Sequence, residues 1–422
     1  MSEEHPTVSI QKLVHGGQGL GELPDGRKVF VWNALPHEKV AVRLLKSKKG
    51  FAEAVAIDIL EPSPDRIAPK EPESYLATSP WQMMNFEAEC RYKKEILAEA
   101  FSREGVELPH FEFTSTPDTS GYRNKMEWGF WGDNEGIHIA HFVRGSHGKV
   151  KVTGSILAKN AINTAVADIV AQLNTLTTGK AAIRAGDIKS VIIRCNQVGD
   201  SVAALFVKPK RFPKLTLPES LQGLVVYHSN PKSPASVPTE LIQQEGDTTL
   251  SDKIMGTELM YDVLSFFQVH IPVFEMAVKQ IDYHLGGMPK VDMYSGVGSI
   301  GIPIGNTTTL VELDSANVEM AHINVGNLPI KVVHASSDKS LEYITGNEAV
   351  IVDPPRAGLG QYVTNRILEA KPPVIAYLSC NPSTQARDVK ILLGAGYKIQ
   401  AFEGFNFFPR TPHIESLIVL KI

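Results

Sequence analysis

The C-terminal half of the chain constrains its fold more than any other part. From about residue 245 onward, short apolar runs alternate with segments of helical period. A helix from Ile271 to Leu285 leads into a strand at Val291-Asp292-Met293. A glycine turn and a helix follow, then a strand from Thr309 to Glu312 and another helix. Strands at Lys331-Val332-Val333, Ala349 to Val352 and Val374 to Leu378 come next. Tyr397 to Phe402 and Ser416 to Ile422 end the chain as two more strand-like runs. Strands separated by helices pair in parallel through crossovers, so the pattern specifies an α/β sheet with helices on both faces. The close final pair specifies a hairpin at one edge.

Ligands of such sheets sit beyond the carboxyl ends of the strands, and several motifs fall there. Gly296-Val297-Gly298-Ser299-Ile300-Gly301 follows a strand and opens a helix. Glycines there let backbone approach a bound nucleoside closely. Glu312 lies 20 residues beyond Asp292, at the end of the next strand, where an acid accepts hydrogen bonds from ribose hydroxyls. This fingerprint does not separate a nicotinamide dinucleotide from S-adenosylmethionine. Asp353-Pro354-Pro355-Arg356 begins right after a strand, and its two prolines stiffen the backbone that carries Asp353. In Ser379-Cys380-Asn381-Pro382 a thiol stands at a strand end before an Asn-Pro turn. A thiolate there is a candidate nucleophile, able to add to the electrophilic carbon 6 of uracil and so activate carbon 5 for alkylation. That chemistry needs a base, and His413 and Glu415 stand just before the last strand. Ser265-Phe266-Phe267-Gln268 precedes the first helix of this region; Gln268 offers an amide to a cofactor or base edge, and a phenylalanine offers a stacking face.

The N-terminal part has a different texture. Between residue 7 and about 60, four or five short strands are punctuated by Gly16-Gly17, Gly19, Gly21 and Pro24-Asp25-Gly26. So many short strands in so short a length specify a small closed barrel, which leaves no exposed edge. Arg43 to Gly50 is a basic segment between two of these strands, suited to a nucleic-acid backbone. Glu61-Pro62-Ser63-Pro64 and Pro69 to Pro72 read as linker, and a helical pattern runs from Trp81 to about Arg103 with Phe86, Tyr92, Ile96 and Leu97 as packing residues. Residues 111 to 240 mix strands and loops around a helix from Ala158 to Leu176. Tyr122-Arg123-Asn124-Lys125 and Val207 to Lys214 set aromatic rings beside cations, as unstacked RNA bases and phosphates require.

Composition sets limits on these readings. The chain has 422 residues and a net charge of −4, so any nucleic-acid surface must be a local patch. Its three cysteines, Cys90, Cys195 and Cys380, are far apart, which excludes a disulfide framework and any site built from a CxxC pair. The polar start Met1-Ser2-Glu3-Glu4-His5 is unlike a signal peptide, and no apolar run reaches membrane-spanning length. A cytoplasmic protein is expected.

On Phe266-Phe267-Gln268-Val269, Asp292 to Gly298, Asp353 to Gly358, Ser379-Cys380-Asn381-Pro382 and His413-Ile414-Glu415-Ser416, taken in this order and spacing, the chain resembles the uracil-5 RNA methyltransferases. The first block resembles the TRAM domain, an RNA-binding barrel carried by many members. The resemblance implies residues 1–62 as a TRAM barrel of OB-like type, 63–250 as a mixed α+β central RNA-binding domain, and 251–422 as a Rossmann-like methyltransferase domain. It implies that Cys380 attacks carbon 6 and that Glu415 takes the carbon 5 proton. It further implies that Gln268, Tyr294, Glu312 and Asp353 line an S-adenosylmethionine site. The expected partner is RNA, with 23S ribosomal RNA first and transfer RNA as the alternative, acted on by a monomer with no membrane. Many members carry four cysteines for an iron–sulfur cluster. The matching stretches here, Glu71 to Pro80 and Lys151 to Leu157, hold none, so no cluster and no metal are expected. Two other readings remain on the residues alone: a nicotinamide-dependent oxidoreductase, and a non-catalytic RNA-binding protein.

Overall fold

The computed structural model describes residues 5–144, 148–178, 182–234 and 236–422; the polar start at Met1 to Glu4 lies outside them. Five strands, β1 (Thr7–Leu13), β2 (Gly19–Glu22), β3 (Lys28–Trp32), β4 (Lys39–Ser47) and β5 (Phe51–Glu61), close into a barrel in the order β1-β2-β3-β5-β4. Alternate residues fill its interior: Val8 and Ile10, Val29 and Val31, Val40 and Val42, Ala52, Ala54 and Ala56. Small alanines on β5 let the narrow lumen close around the branched residues of the other strands. The basic segment is not a loop. β4 runs through Arg43 to Ser47, pairing Lys46 with Glu53, and only Lys48 to Gly50 form the tip. On its β5 side the hairpin still alternates, with Ala52 and Ala54 buried in the barrel, whereas Arg43 to Ser47 of β4 are exposed or half-buried and show no apolar alternation.

Beyond the barrel, α1 (Tyr75–Thr78) and α2 (Phe86–Arg103) lead to the short strand β6 (Phe113–Thr114). Asn85 caps α2, its side chain accepting from the Ala88 amide at 2.8 Å. Tyr92, Ile96 and Leu97 are buried, whereas Phe86 is half-buried beneath the Arg410 guanidinium. The buried face of α2 joins a core on one face of the C-terminal sheet that Leu13 and Leu35 of the barrel also enter.

The central sheet is built from β7 (Lys125–Asp133), β8 (Gly136–Phe142), β9 (Lys149–Lys151), β10 (Ile188–Cys195), β11 (Ser201–Val207), β12 (Gly223–His228) and β13 (Glu240–Gly246). Its strand order is β13-β12-β11-β10-β7-β8-β9, with α3 (Asn160–Thr175) packed across one face. The hairpin of β14 (Thr249–Ile254) and β15 (Thr257–Asp262) bridges its other face to the C-terminal region.

The C-terminal region is an eight-stranded sheet. In chain order its elements are α4 (Ile271–Leu285), β16 (Lys290–Met293), α5 (Gly301–Ile304), β17 (Thr307–Glu312), α6 (Ser315–Val325), β18 (Lys331–His334), β19 (Ala349–Val352), α7 (Gln361–Ala370), β20 (Val374–Ser379), α8 (Pro382–Gly394), β21 (Lys398–Phe405) and β22 (Glu415–Lys421). The strand order is β18-β17-β16-β19-β20-β22-β21-β6, parallel up to β20, with β22 antiparallel beyond it and β21 and β22 as the expected edge hairpin. Helices α4 and α6 cover one face, and α2, α7 and α8 the other. The helix after the glycine turn is a single turn. Pro303 and the left-handed Gly305 (φ 67°) end it at Ile304. No helix among the described residues is long and apolar enough to cross a membrane.

Candidate active site

Strand register brings the predicted residues to one edge. Along the parallel strands Val311 pairs with Met293, Met293 with Val352, and Val352 with Tyr377. Glu312, Tyr294 and Asp353 therefore leave the sheet at one level, with Cys380 just beyond. The antiparallel partner β22 pairs Ser416 with Ser379, which sets Glu415 opposite Cys380. Met293, Val311, Val352 and Leu378 are fully buried near the ends of their strands, and Tyr294, Glu312, Asp353 and Ser379 follow them or close the strand, so the chain turns out of the core at its polar groups.

The turn after β16 is pre-shaped. Tyr294 (φ 66°), Gly296 (φ 56°) and Gly298 (φ 88°) all have positive φ. A Cβ on Gly298 would stand 2.4 Å from Ile302 Cδ1, so this glycine is required by packing as well as by conformation. The Glu312 carboxylate accepts from the amides of Gly296 (2.8 Å), Leu313 (2.9 Å) and Asp314 (2.7 Å), which fixes it at the mouth of the turn. The Tyr294 ring lies beside Ser337 and Gly360 and is half-buried. Gln268 donates towards Asp353 at 3.4 Å, and its own carbonyl accepts from Asn124 Nδ2 at 2.9 Å.

Burial governs the electrostatics. It pushes the Asp353 carboxyl up to about 7 and holds Glu415 well above the usual carboxylate range, where the neighbouring Asp353 adds to the effect and Arg356 opposes it. The Cys380 thiol is pushed up to about 11, first by burial and then by the charges of Glu415 and Asp353, again against Arg356. The edge thus gathers a thiol and two carboxyls that resist ionisation around a single guanidinium. Asparagine 381 locks that arginine's backbone, donating to the Arg356 carbonyl at 2.8 Å, and Thr384 donates to the same oxygen at 3.1 Å.

Some site residues were not singled out from sequence. Asp292 is fully buried under the glycine turn. One of its oxygens accepts from the Gly301 amide at 2.9 Å, and the other has no partner among the described residues. Burial pushes this carboxyl up to about 8, partly offset by the Gly301 bond. Phe266 and Leu313 are 56% and 65% exposed on either side of the turn, apolar surface beside its polar groups. The Phe266 amide donates to Asn317 Oδ1 at 2.7 Å, which holds that residue in place. The sequence offered a stacking phenylalanine in this pair without choosing between the two, and the juxtaposition of Phe266 and Leu313 with the turn is what marks them. Phe267 is indeed core, stacked on Tyr261 with ring centroids 4.2 Å apart.

Two expectations are corrected. Tyr122 is buried, with its hydroxyl on the Pro409 carbonyl at 3.0 Å, so it offers no face to an RNA base. Tyr122 and Asn124 instead brace the segments that carry the site. His413 is exposed, edge-on to Phe408, with Nδ1 3.5 Å from Arg356, while Glu415 is the residue that faces Cys380. The two stretches matched to cluster cysteines come together, joined by the Ile156 amide donating to Glu71 at 2.8 Å. The Gln82 amide donates in turn to the other Glu71 oxygen at 2.8 Å.

Residues 338–422 match the tRNA (uracil-5-)-methyltransferase family, and residues 5–57 match the TRAM domain. A Thermotoga maritima protein described as an uncharacterized RNA methyltransferase is 26% identical, over 98% of each chain. Another of the same description, from Aquifex aeolicus, is 28% identical over 100% of each. Among solved structures, a Pyrococcus abyssi tRNA (uracil-54, C5)-methyltransferase in complex with S-adenosyl-L-homocysteine superposes with a TM-score of 0.76. It is 23% identical and covers 98% of this chain and 99% of its own, a likeness of fold that spans the barrel and both sheets.

Proposed function

We propose that this chain is a TRAM-bearing RNA uracil-5 methyltransferase, as its matched regions and relatives support, and that it methylates carbon 5 of one uridine in a structured RNA through a covalent bond between Cys380 and carbon 6. It is an S-adenosylmethionine-dependent RNA (uracil-5-)-methyltransferase. The observation that carries the covalent reading is the register of β20 and β22, which sets Cys380 and Glu415 face to face beside Asp353.

The residues present fit the cofactor. A turn with positive φ, a buried carboxyl with an unused oxygen and an acid fixed at a strand end suit a nucleoside. Carboxyls that resist ionisation suit a ligand that brings its own positive charge. Gln268, Tyr294, Glu312 and Asp353 would hold S-adenosylmethionine, with Phe266 and Leu313 as apolar walls for its base. When bound, that cofactor supplies an electrophilic methyl carbon on a sulfonium.

The chain's own groups do the rest. The target uracil must leave its stack to bring carbon 6 to Sγ. Cys380 is held as the thiol until the base is seated, because burial opposes the thiolate. Its proton passes to solvent, and attack of the thiolate on carbon 6 opens the 5,6 double bond and places the electron pair on carbon 5, which would accept the methyl group as the sulfonium sulfur leaves with the former bonding pair. Glu415 then removes the carbon 5 proton. The electron pair re-forms the double bond and the C6–S bond breaks, returning the thiolate. A carboxylate with raised proton affinity is the stronger base for that step.

The first RNA to test is 23S ribosomal RNA, with transfer RNA as the alternative. Purified protein and S-adenosylmethionine are incubated with each transcript, and 5-methyluridine is mapped by mass spectrometry. One transcript should gain a single methyl group at one uridine. Cys380→Ala should abolish it while RNA binding survives; substantial turnover by that variant would rule out the covalent route.

A further inference from the structure

The loop between β21 and β22 carries Glu415 to the site, and it is held from below by one buried ion pair on α2. Glu89 and Lys93 are both fully buried, with Lys93 Nζ 2.9 Å from Glu89 Oε1. The remaining donors of the ammonium go to Asn406 Oδ1 at 2.7 Å and the Phe408 carbonyl at 3.1 Å. A lysine has three N–H groups, and all three are used. The carboxylate accepts from Asn406 Nδ2 at 3.1 Å and from the Arg410 amide, which is 3.0 Å from both oxygens. The Asn406 side chain therefore bonds to both members of the pair, which fixes its orientation.

Arg410 needs such a hold. It is a non-glycine residue at φ 64°, a conformation an L residue keeps only when its surroundings impose it. Its carbonyl accepts from the Trp81 amide at 3.1 Å, its guanidinium donates to the Met84 carbonyl at 2.7 Å, and Tyr122 holds the preceding carbonyl. The Trp81 indole in turn donates to the Gly17 carbonyl of the barrel at 3.1 Å, and Gly17 packs so closely on Pro412 that a Cβ there would stand 2.4 Å from its Cβ. The loop runs from a clamped Asn406 to a clamped Pro412, and three residues later Glu415 faces Cys380.

A buried ion pair is a poor source of stability, because desolvating two charges offsets most of their attraction. This one faces the loop: its polar atoms hold loop backbone and Asn406, Glu89 Oε2 also lies 3.7 Å from the Arg410 guanidinium, and the Lys93 ammonium sits over the Trp81 ring. We propose that Glu89 and Lys93 are positioning residues that set the left-handed turn at Arg410 and thereby aim Glu415 at the substrate carbon. The catalytic consequence rests on the role given to Glu415 above; the clamp itself does not.

The test uses Glu89→Gln in the full chain. Hydrogen–deuterium exchange should be at least about tenfold faster in peptides covering 406–414, while peptides over 291–301 exchange as in the unmodified protein. Turnover should fall at least about tenfold, the scale of a misplaced catalytic group, with the affinity for S-adenosylhomocysteine unchanged. A purely structural role would instead loosen both regions and weaken turnover and ligand affinity together. Unchanged exchange at 406–414, or loss shared equally with 291–301, overturns the proposal. If Glu89→Gln does not fold, combining it with Lys93→Met removes the unpaired charge, and the same two sets of peptides decide the matter. Faster exchange in a protein whose unmodified form makes no 5-methyluridine would uphold the clamp and overturn the methyltransferase reading instead.

Discussion

Asp292 shows how much a single buried group shapes this site. Its carboxyl supports the Gly301 amide yet sits in hydrocarbon, so the neutral form is favoured. Its folded value of about 8 lies above the ordinary one, so the stability gained from the neutral carboxyl is full below about pH 4 and is lost as pH rises through about 8. Asp292→Asn cannot ionise and keeps an oxygen for the Gly301 amide. The unmodified protein should therefore lose more stability between pH 5 and pH 8 than this variant, by on the order of a few kcal/mol. Thermal unfolding at the two pH values checks it; parallel losses would show that Asp292 does not titrate there. The roles proposed for Cys380, Asp353 and Gln268 were read from polar residues that close apolar runs, and that of Glu415 from its place just before the last apolar run. Asp292 was not legible as a site residue. It lies inside such a run, where only the fold reveals what surrounds it.

Elements were legible where one period dominates. The helix Ile271–Leu285 and the strand Ala349–Val352 have the ends their patterns specify. The helix after the glycine turn is shorter than its glycine motif alone implied, because Pro303 and Gly305 act within four residues. The turn itself depends on Gly298. An alanine there would meet Ile302 at 2.4 Å and Leu310 at 3.1 Å while holding φ near 88°. Gly298→Ala should cost about 1–3 kcal/mol of stability and weaken S-adenosylhomocysteine binding at least about tenfold, as read by calorimetry. Binding at full strength would place the cofactor elsewhere, and binding of NAD in its stead would favour an oxidoreductase.

The assembly of the molecule was the least legible level. α2 follows the linker in sequence but packs on the C-terminal sheet, and β6 joins that sheet's far edge. The Glu89–Asn406 bond joins residues 317 apart, and no local pattern announces such a partner. The barrel is tied to its neighbours by a buried Glu38 carboxylate that grips Arg66 with both oxygens, at 2.5 and 2.8 Å, and by Arg144 stacked 4.3 Å over Trp32. So anchored, the barrel holds out the hairpin of Arg43, Lys46, Lys48 and Lys49, all exposed. If that hairpin tracks RNA phosphates, replacing Lys48 and Lys49 by alanine should reduce the slope of log affinity against log salt by about 2. An unchanged slope would exclude the hairpin from the interface. The account as a whole rests on a transient bond between Cys380 and a pyrimidine, and Glu415→Gln offers the most direct view of it. With substrate RNA and S-adenosylmethionine, this variant should accumulate a protein–RNA species that survives denaturing electrophoresis and maps by mass spectrometry to the peptide containing Cys380. Methylated RNA released with no such species, or a crosslink at another residue, would contradict it.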